Sequence, residues 1–363
     1  MKPRLLEVTG LAKHYPRAGS LFARPTAGVA AVDGISFVLH RGETLALVGE
    51  SGCGKSTTAR LVLRLIEPTA GTVHFEGVDI TAMRGEPLRR LRRRMQIIFQ
   101  DPFASLNPRM DVGSVIEEPL LVHGIGDAAS RRRRVAELLD LVGLAPYHAG
   151  RYPHEFSGGQ RQRIGIARAL AAQPALVVCD EPVSALDVSI QAQVVNLLRD
   201  LQLRFGLSYL FIAHDLAVVK HAADRVAVMY RGRIVEMASK QALFAGPRHP
   251  YTRTLLAAIP RADPHRRALR RLNAVEAAAP GALAGGCRFR ARCEFAVELC
   301  AQAEPPLASV APDHFAACHR AAELPPFEAT IRHAMAPAAA RRLALYAGLR
   351  QRRLEQPATI GSA

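Results

Sequence analysis

The stretch GESGCGKST, Gly49–Thr57, carries residue types spaced for gripping a nucleotide polyphosphate. Gly49, Gly52 and Gly54 let consecutive backbone N–H groups converge on phosphate oxygens, with Glu50, Ser51 and Cys53 between them. Lys55 can reach the β- and γ-phosphates, the Ser56 hydroxyl suits Mg²⁺, and Thr57 leads into a helix. A second run, ALVVCDEP (Ala175–Pro182), ends an apolar segment in two adjacent carboxylates. Successive side chains on a strand point to opposite faces, so Asp180 can face Mg²⁺ while Glu181 turns toward the γ-phosphate. In a third run, FSGGQRQRIGIARAL, residues Ser157, Gly158, Gly159 and Gln160 open a helix whose free N–H groups and dipole make a second anion-binding terminus. One nucleotide does not need two such helix ends. The second is therefore expected to grip a nucleotide held by another subunit.

These groups need elements to aim them. The apolar strand Leu45–Val48 runs straight into the glycine loop and then a helical stretch, the strand–loop–helix context that Walker A requires. From Ser157 to Ala213 helix and apolar strand alternate, which predicts parallel strands joined by crossovers and an α/β P-loop fold. Residues 1–60 read as strand-rich, with PRAGSLFARPTAG as a surface loop, and 84–150 carry helical patterns with charge runs. Beyond Gly246 the composition shifts to Pro, Ala and Arg, and 326–363 reads as a basic Ala/Arg-rich tail. No internal repeat is visible, so a single cassette is expected.

Composition limits the function classes. With 49% hydrophobic and 22% charged residues the chain is globular, and MKPRLLEVTG has no apolar secretory core. No apolar run is long enough to span a bilayer, so a cytosolic chain is expected and structural disulfides are not. The formal net charge of +16 is carried by scattered arginines, clustered only at Arg89–Arg94 and Arg131–Arg134. Aromatic content is 6% and Trp is absent, which leaves no stacking platform for bases. Solvated basic helix faces account for the charge most simply, attraction to an anionic membrane comes next, and no nucleic-acid partner is expected.

Walker motifs alone fit kinases, helicases and GTPases, and SGGQ discriminates among them. On these motifs the chain resembles the ATP-binding subunits of ABC transporters over roughly residues 5–245. SGGQ is similar to the family signature, Ser184–Asp187 (SALD) to its D-loop, His214 in FIAHD to its switch histidine, Gln100 in IIFQDP to its Q-loop glutamine, and Tyr15 in KHYP to the aromatic that stacks on adenine. The resemblance implies a RecA-like core with an antiparallel β subdomain and a helical subdomain at about 101–170. It implies a head-to-tail dimer sandwiching two ATP molecules between Walker A of one subunit and the signature of the other. Glu181 would be the catalytic base, with His214 sensing the γ-phosphate and Gln100 coupling it to the membrane and joining Ser56 and Asp180 around Mg²⁺. A cytosolic translation or repair ATPase would carry two cassettes or long insertions, which this chain lacks.

Three stretches narrow the branch: QDPFASLNPRM (Gln100–Met110), GPRHPYTRTLL (Gly246–Leu256) and the late cysteines resemble the peptide/nickel importer branch. SLFARPTAG and GESGCGKSTTARLVLRL resemble the F-type member of its paired ATPases. The implied partners are a second, homologous ATPase, two integral membrane permeases and an extracytoplasmic binding protein, with the chain peripheral on the cytoplasmic face of the membrane. Di- or oligopeptides are the expected cargo, with nickel chelates, glutathione or antimicrobial peptides as alternatives.

Cys287, Cys293, Cys300 and Cys318, spaced C-x5-C-x6-C-x17-C, lie in the region 246–325. The spacing lacks the tight pairs of a zinc ribbon and leaves an iron–sulfur cluster, zinc or inert thiols open. The branch resemblance implies a [4Fe–4S] cluster. Every phosphate-handling residue lies upstream of these cysteines, so the segment is expected to be a structural clamp or iron-responsive element apart from the ATP chemistry.

Overall fold

The computed structural model describes residues 2–16, 28–259 and 285–327. The segment 17–27 within the expected insertion and nearly all of the 326–363 tail lie outside the described residues. The elements run β1 (Arg4–Tyr15), β2 (Val29–His40), β3 (Thr44–Val48), α1 (Lys55–Val62), β4 (Ala70–Phe75), β5 (Val78–Asp79), α2 (Gly85–Arg92) and β6 (Met95–Ile98). A helical stretch follows with α3 (Pro102–Ser105), α4 (Val112–Val122), α5 (Ala128–Leu141) and α6 (Gly158–Ala171). The chain then alternates through β7 (Leu176–Asp180), α7 (Val188–Phe205), β8 (Ser208–Ala213), α8 (Leu216–Ala222), β9 (Arg225–Tyr230) and β10 (Arg233–Ser239). It closes with α9 (Lys240–Ala245), α10 (Pro250–Ala257), α11 (Leu299–Gln302), β11 (Ala308–Ala311) and β12 (His314–Ala316).

Two sheets form among the described residues. The smaller, ordered β2-β1-β4-β5, is antiparallel throughout. The larger is ordered β11-β12-β10-β9-β3-β8-β7-β6, and its β9-β3-β8-β7-β6 part is parallel. Every residue of β3 (TLALV), β7 (LVVCD) and β8 (SYLFIA) is buried, which is the pattern of parallel strands covered on both faces. Leu45, Leu47, Val178, Leu210 and Ile212 meet Val8, Phe37, Val73 and Phe75 of the small sheet in one apolar core.

Register places the chemistry. Val48 pairs with Ala213 and Val228, Asp180 with Ile212, and Ile98 with Cys179. The residues that follow these strand ends (Gly49, Glu181, His214 and Gln100) therefore emerge at one rim of the sheet. That rim, outside the carboxyl ends of parallel strands, is where α/β sheets bind ligands.

The C-terminal region is not an appendage. β12 pairs antiparallel with β10, and β11 with β12, so the chain returns to extend the central sheet. Glu236 on β10 is completely buried and anchors the return. Its carboxylate accepts the backbone N–H of Arg248 at 2.6 Å and of His249 at 3.0 Å, and pairs with His314 Nε2 at 2.7 Å. His249 caps α10, its Nδ1 accepting the N–H of Tyr251 at 3.0 Å. Burial pushes the His249 imidazole down to about 4, with Glu236 opposing.

A base whose folded pKa lies below its unfolded value of 6.5 gives full stability above pH 6.5 and loses it as pH falls toward 4. The loss at this site is roughly 3 kcal/mol. Replacing His249 by Asn, a capping acceptor that does not titrate, should flatten this arm of a urea-unfolding profile. An unchanged slope between pH 6.5 and 4 would place the sensitivity elsewhere.

Candidate functional site

The glycine loop leaves β3 at Val48 and closes on α1. Gly49 must be glycine because a Cβ there would overlap the carbonyl oxygen of Met229. Gly54, at φ 108, would drive a Cβ into the carbonyl oxygen of Ala31. The loop is thus pressed between β2 and the end of β9, with Ser51 and Gly52 exposed at its crown and Thr57 half-buried behind. The Lys55 ammonium is buried and donates to the carbonyls of Gly49 (2.8 Å) and Glu50 (2.9 Å). Cys53 is buried against it, its thiol pKa raised by burial. It fills a small slot in the loop.

Two groupings form at the rim. Ser56 Oγ donates to Asp180 Oδ1 at 2.9 Å. Burial raises the Asp180 pKa, the Ser56 hydrogen bond opposes this, and neighbouring Glu181 raises it further. A buried carboxylate beside a hydroxyl suits Mg²⁺, which takes one or two protein oxygens and completes its shell from phosphates and water. One Glu181 carboxylate oxygen accepts Gln100 Nε2 at 3.2 Å and lies 3.0 Å from His214 Nδ1. Glu181 itself sits at φ 47, a left-handed conformation that is uncommon for a residue with a Cβ and is held here by its surroundings. Its N–H donates to Ile212 O at 3.1 Å, and Ser184 donates to its carbonyl through both N–H and hydroxyl. The structure thus places Gln100 on the Glu181 carboxylate, while Ser56 and Asp180 form the oxygen pair fit for the metal.

The remaining expected residues stand apart from this pair of groupings. Ser157 caps α6 in a reciprocal box: its N–H donates to Gln160 Oε1 at 3.0 Å, and Gln160 N–H to Ser157 Oγ at 3.4 Å. Ser157 and Gly158 are exposed, and Gly159 is half-buried beside Ile190 of α7. Asp187 precedes α7 without a side-chain capping bond, and Val188 next to it is 82% exposed. Tyr15, at the end of β1, is exposed with the Lys13 ammonium 5.3 Å from its ring centroid.

Residues 32–184 match the family model described as "ABC transporter", and 235–300 match "Oligopeptide/dipeptide transporter, C-terminal region". The chain is 55% identical over 316 residues to a putative peptide import ATP-binding protein of Brucella ovis, covering 87% of this chain and 98% of that one. It belongs to the ATP-binding subunits of ABC transporters. Its second matched region places it in their oligopeptide/dipeptide branch. The oligopeptide transport ATP-binding protein AppF of Bacillus subtilis is 51% identical over 319 residues, 87% of this chain and 97% of AppF. Among solved structures, the dimeric ATP-binding cassette MJ0796, in a post-hydrolysis state with ADP and Pi, matches 65% of this chain and 99% of its own at 26% identity and TM-score 0.58. The subunit is an ATPase of the cassette type, and none of its described helices is long and apolar enough to cross a membrane.

Nothing in the described residues supports the [4Fe–4S] cluster expected of this ABC subunit's cysteine segment. Cys287, Cys293, Cys300 and Cys318 share one neighbourhood and are free thiols. Among the described residues, however, no group of three or more His, Cys, Asp or Glu side chains is arranged to hold a metal ion. Burial raises the pKa of Cys287 and Cys293 and pushes that of Cys318 up to about 11. The segment packs instead: Phe289 and Cys300 are buried, and the Cys287 N–H donates to the Cys300 carbonyl at 2.7 Å.

The sequence reading missed what this packing touches. Tyr251 Oη accepts the Glu50 N–H at 2.8 Å, and Arg292 reaches both Glu50 carboxylate oxygens at 2.8 and 2.9 Å. The cysteine segment therefore stands against the phosphate loop and not apart from it. A bare spacing of 201 and 242 residues carries no local signal of such contacts.

Proposed function

We propose that this subunit hydrolyses ATP to energise import of di- or oligopeptides. It would work as half of a head-to-tail ATPase dimer with a homologous partner, beneath two integral permeases on the cytoplasmic face of the membrane and supplied by an extracytoplasmic binding protein. The observation that carries the cargo class is similarity of at least 51% to peptide-import and oligopeptide-transport subunits over nearly their full length.

In this reading the cassette divides at about residue 245, with a helical subdomain at about 101–170, a C-terminal region at 246–325 and a tail at 326–363. Walker A N–H groups and Lys55 bind the β- and γ-phosphates, and Tyr15 stacks on adenine. Ser56 and Asp180 would hold Mg²⁺, which neutralises charge on the phosphates. Glu181 accepts a proton from the attacking water, held in place by Gln100 and His214, the two groups that bond its carboxylate oxygen. The exposed Ser157, Gly158 and Asp187, with Val188 bare beside them, support the second subunit's nucleotide as their target. Gln100 precedes the α3 segment, which would meet the permease and report nucleotide state to it.

Reconstitution in proteoliposomes with the permeases and partner ATPase tests the function. ATP hydrolysis is expected to rise several-fold with peptide-loaded binding protein. Stimulation by a nickel chelate or glutathione, and not by peptides, would reassign the cargo.

A further inference from the structure

We propose that Tyr251 and Arg292 are positioning residues of the nucleotide site, clamping Glu50 of the Walker A loop and linking ATP occupancy to the seating of the cysteine-bearing segment. The inference rests on the ATP site described above and goes beyond it by adding a support from outside the cassette motifs.

Glu50 is engaged at three places. Its N–H donates to Tyr251 Oη, its carboxylate receives the two-pronged guanidinium of Arg292, and its carbonyl accepts Lys55 Nζ at 2.9 Å. One residue thus connects α10, the 285–300 segment and the phosphate-binding lysine. The fork geometry makes the pair stronger and more directional than a lysine could. Both partners are themselves fixed. Tyr251 is completely buried, its ring 4.6 Å from Tyr230 and 5.5 Å from Phe289, centroid to centroid. The Arg292 guanidinium lies 5.5 Å from the Phe289 ring centroid, and Phe289 is buried edge-on to Tyr230.

A second route runs in parallel. Arg288 of the same segment pairs with Asp33 and donates to the Arg231 carbonyl, while the adjoining Gly232 N–H donates to Cys53 O of the loop at 2.9 Å. The segment therefore reaches the loop directly at Glu50 and, by way of Arg231 and Gly232, at Cys53. A ligand that orders the loop must order the segment, and by reciprocity displacement of the segment weakens the ligand.

The test uses full-length chain, with ATP affinity read by fluorescent-nucleotide competition, turnover by phosphate release, and amide exchange in 285–303 by mass spectrometry. Arg292→Ala should raise the Kd for ATP about tenfold while changing kcat at saturating ATP less than about twofold. Arg292→Lys should recover part of the affinity, and Glu50→Gln with Arg292→Ala should lose no more than the worse single change. Tyr251→Phe, which removes one oxygen and keeps the ring, should weaken ATP severalfold and carries the test where Arg292→Ala folds poorly. In the unaltered chain ATP should slow exchange across 285–303, and Arg292→Ala should abolish that protection. An unchanged Kd in folded Arg292→Ala and Tyr251→Phe, or exchange in 285–303 indifferent to ATP, overturns the clamp. If the unaltered chain binds no ATP, the nucleotide-site reading falls and the clamp with it.

Discussion

Glu181→Gln is expected to lower the steady-state ATPase rate by about 10²–10⁴-fold, the usual contribution of a positioned general base. ATP affinity should stay within a few-fold of the unaltered subunit. Glutamine keeps the shape of the side chain and can still bond Gln100 and His214, but it cannot take a proton from water. Lys55, proposed to bind phosphate, and the Ser56–Asp180 pair, proposed to hold Mg²⁺, are left in place. The backbone matters as much as the carboxylate. At φ 47 the residue is held by Ile212 and Ser184, so the group is aimed before any nucleotide arrives. Phosphate release and nucleotide binding measured on the same preparation separate the two effects. A retained rate would move the base elsewhere, with His214 the next group to test.

Glu236→Ala should cost several kcal/mol of stability, since each buried donor left without an acceptor costs about 1–3 kcal/mol. The carboxylate is wholly buried, and its loss strands three donors: the N–H groups of Arg248 and His249 and the imidazole of His314. Against a total of about 5–15 kcal/mol this is a large fraction. Glu236→Gln keeps an acceptor and should lose less. Because Glu236 also holds the start of α10, which carries Tyr251, the alanine variant should bind ATP more weakly even where it remains folded. Urea unfolding monitored with and without ATP reads both. A midpoint unchanged by the alanine substitution would show that the C-terminal return is anchored by β-strand pairing alone.

Much of the site was legible because its signals are local. Strand Leu45–Val48, the glycine loop and α1 are contiguous, and so are β7 and its two terminal carboxylates. The alternation of helix and apolar strand from Ser157 to Ala213 carried the parallel order that brings Gln100, Glu181 and His214 to one rim. What escaped depends on contacts between distant residues. β11 and β12, ASVA and HFA, are too short to show alternation, so their addition to the sheet could not be read. Glu236 and His314 lie 78 residues apart with no pattern linking them. The cysteine spacing named candidates for ligation, but it carried no sign of the contacts that Arg288 and Arg292 of the same segment make with Asp33 and Glu50.

The reach from Glu50 to Arg292 also sets an order of assembly. Arg292 is polymerised 242 residues after Glu50, roughly 12–48 s later at the usual pace of synthesis. Between the making of Glu181 and that of Arg292, a nascent chain holds every Walker and signature residue while its phosphate loop still lacks an outer brace. A subunit cut short before the cysteine segment would carry the full set of catalytic motifs with a loosened grip on ATP. On the proposed clamp, the full grip on ATP would thus wait until Arg292 has been made and seated.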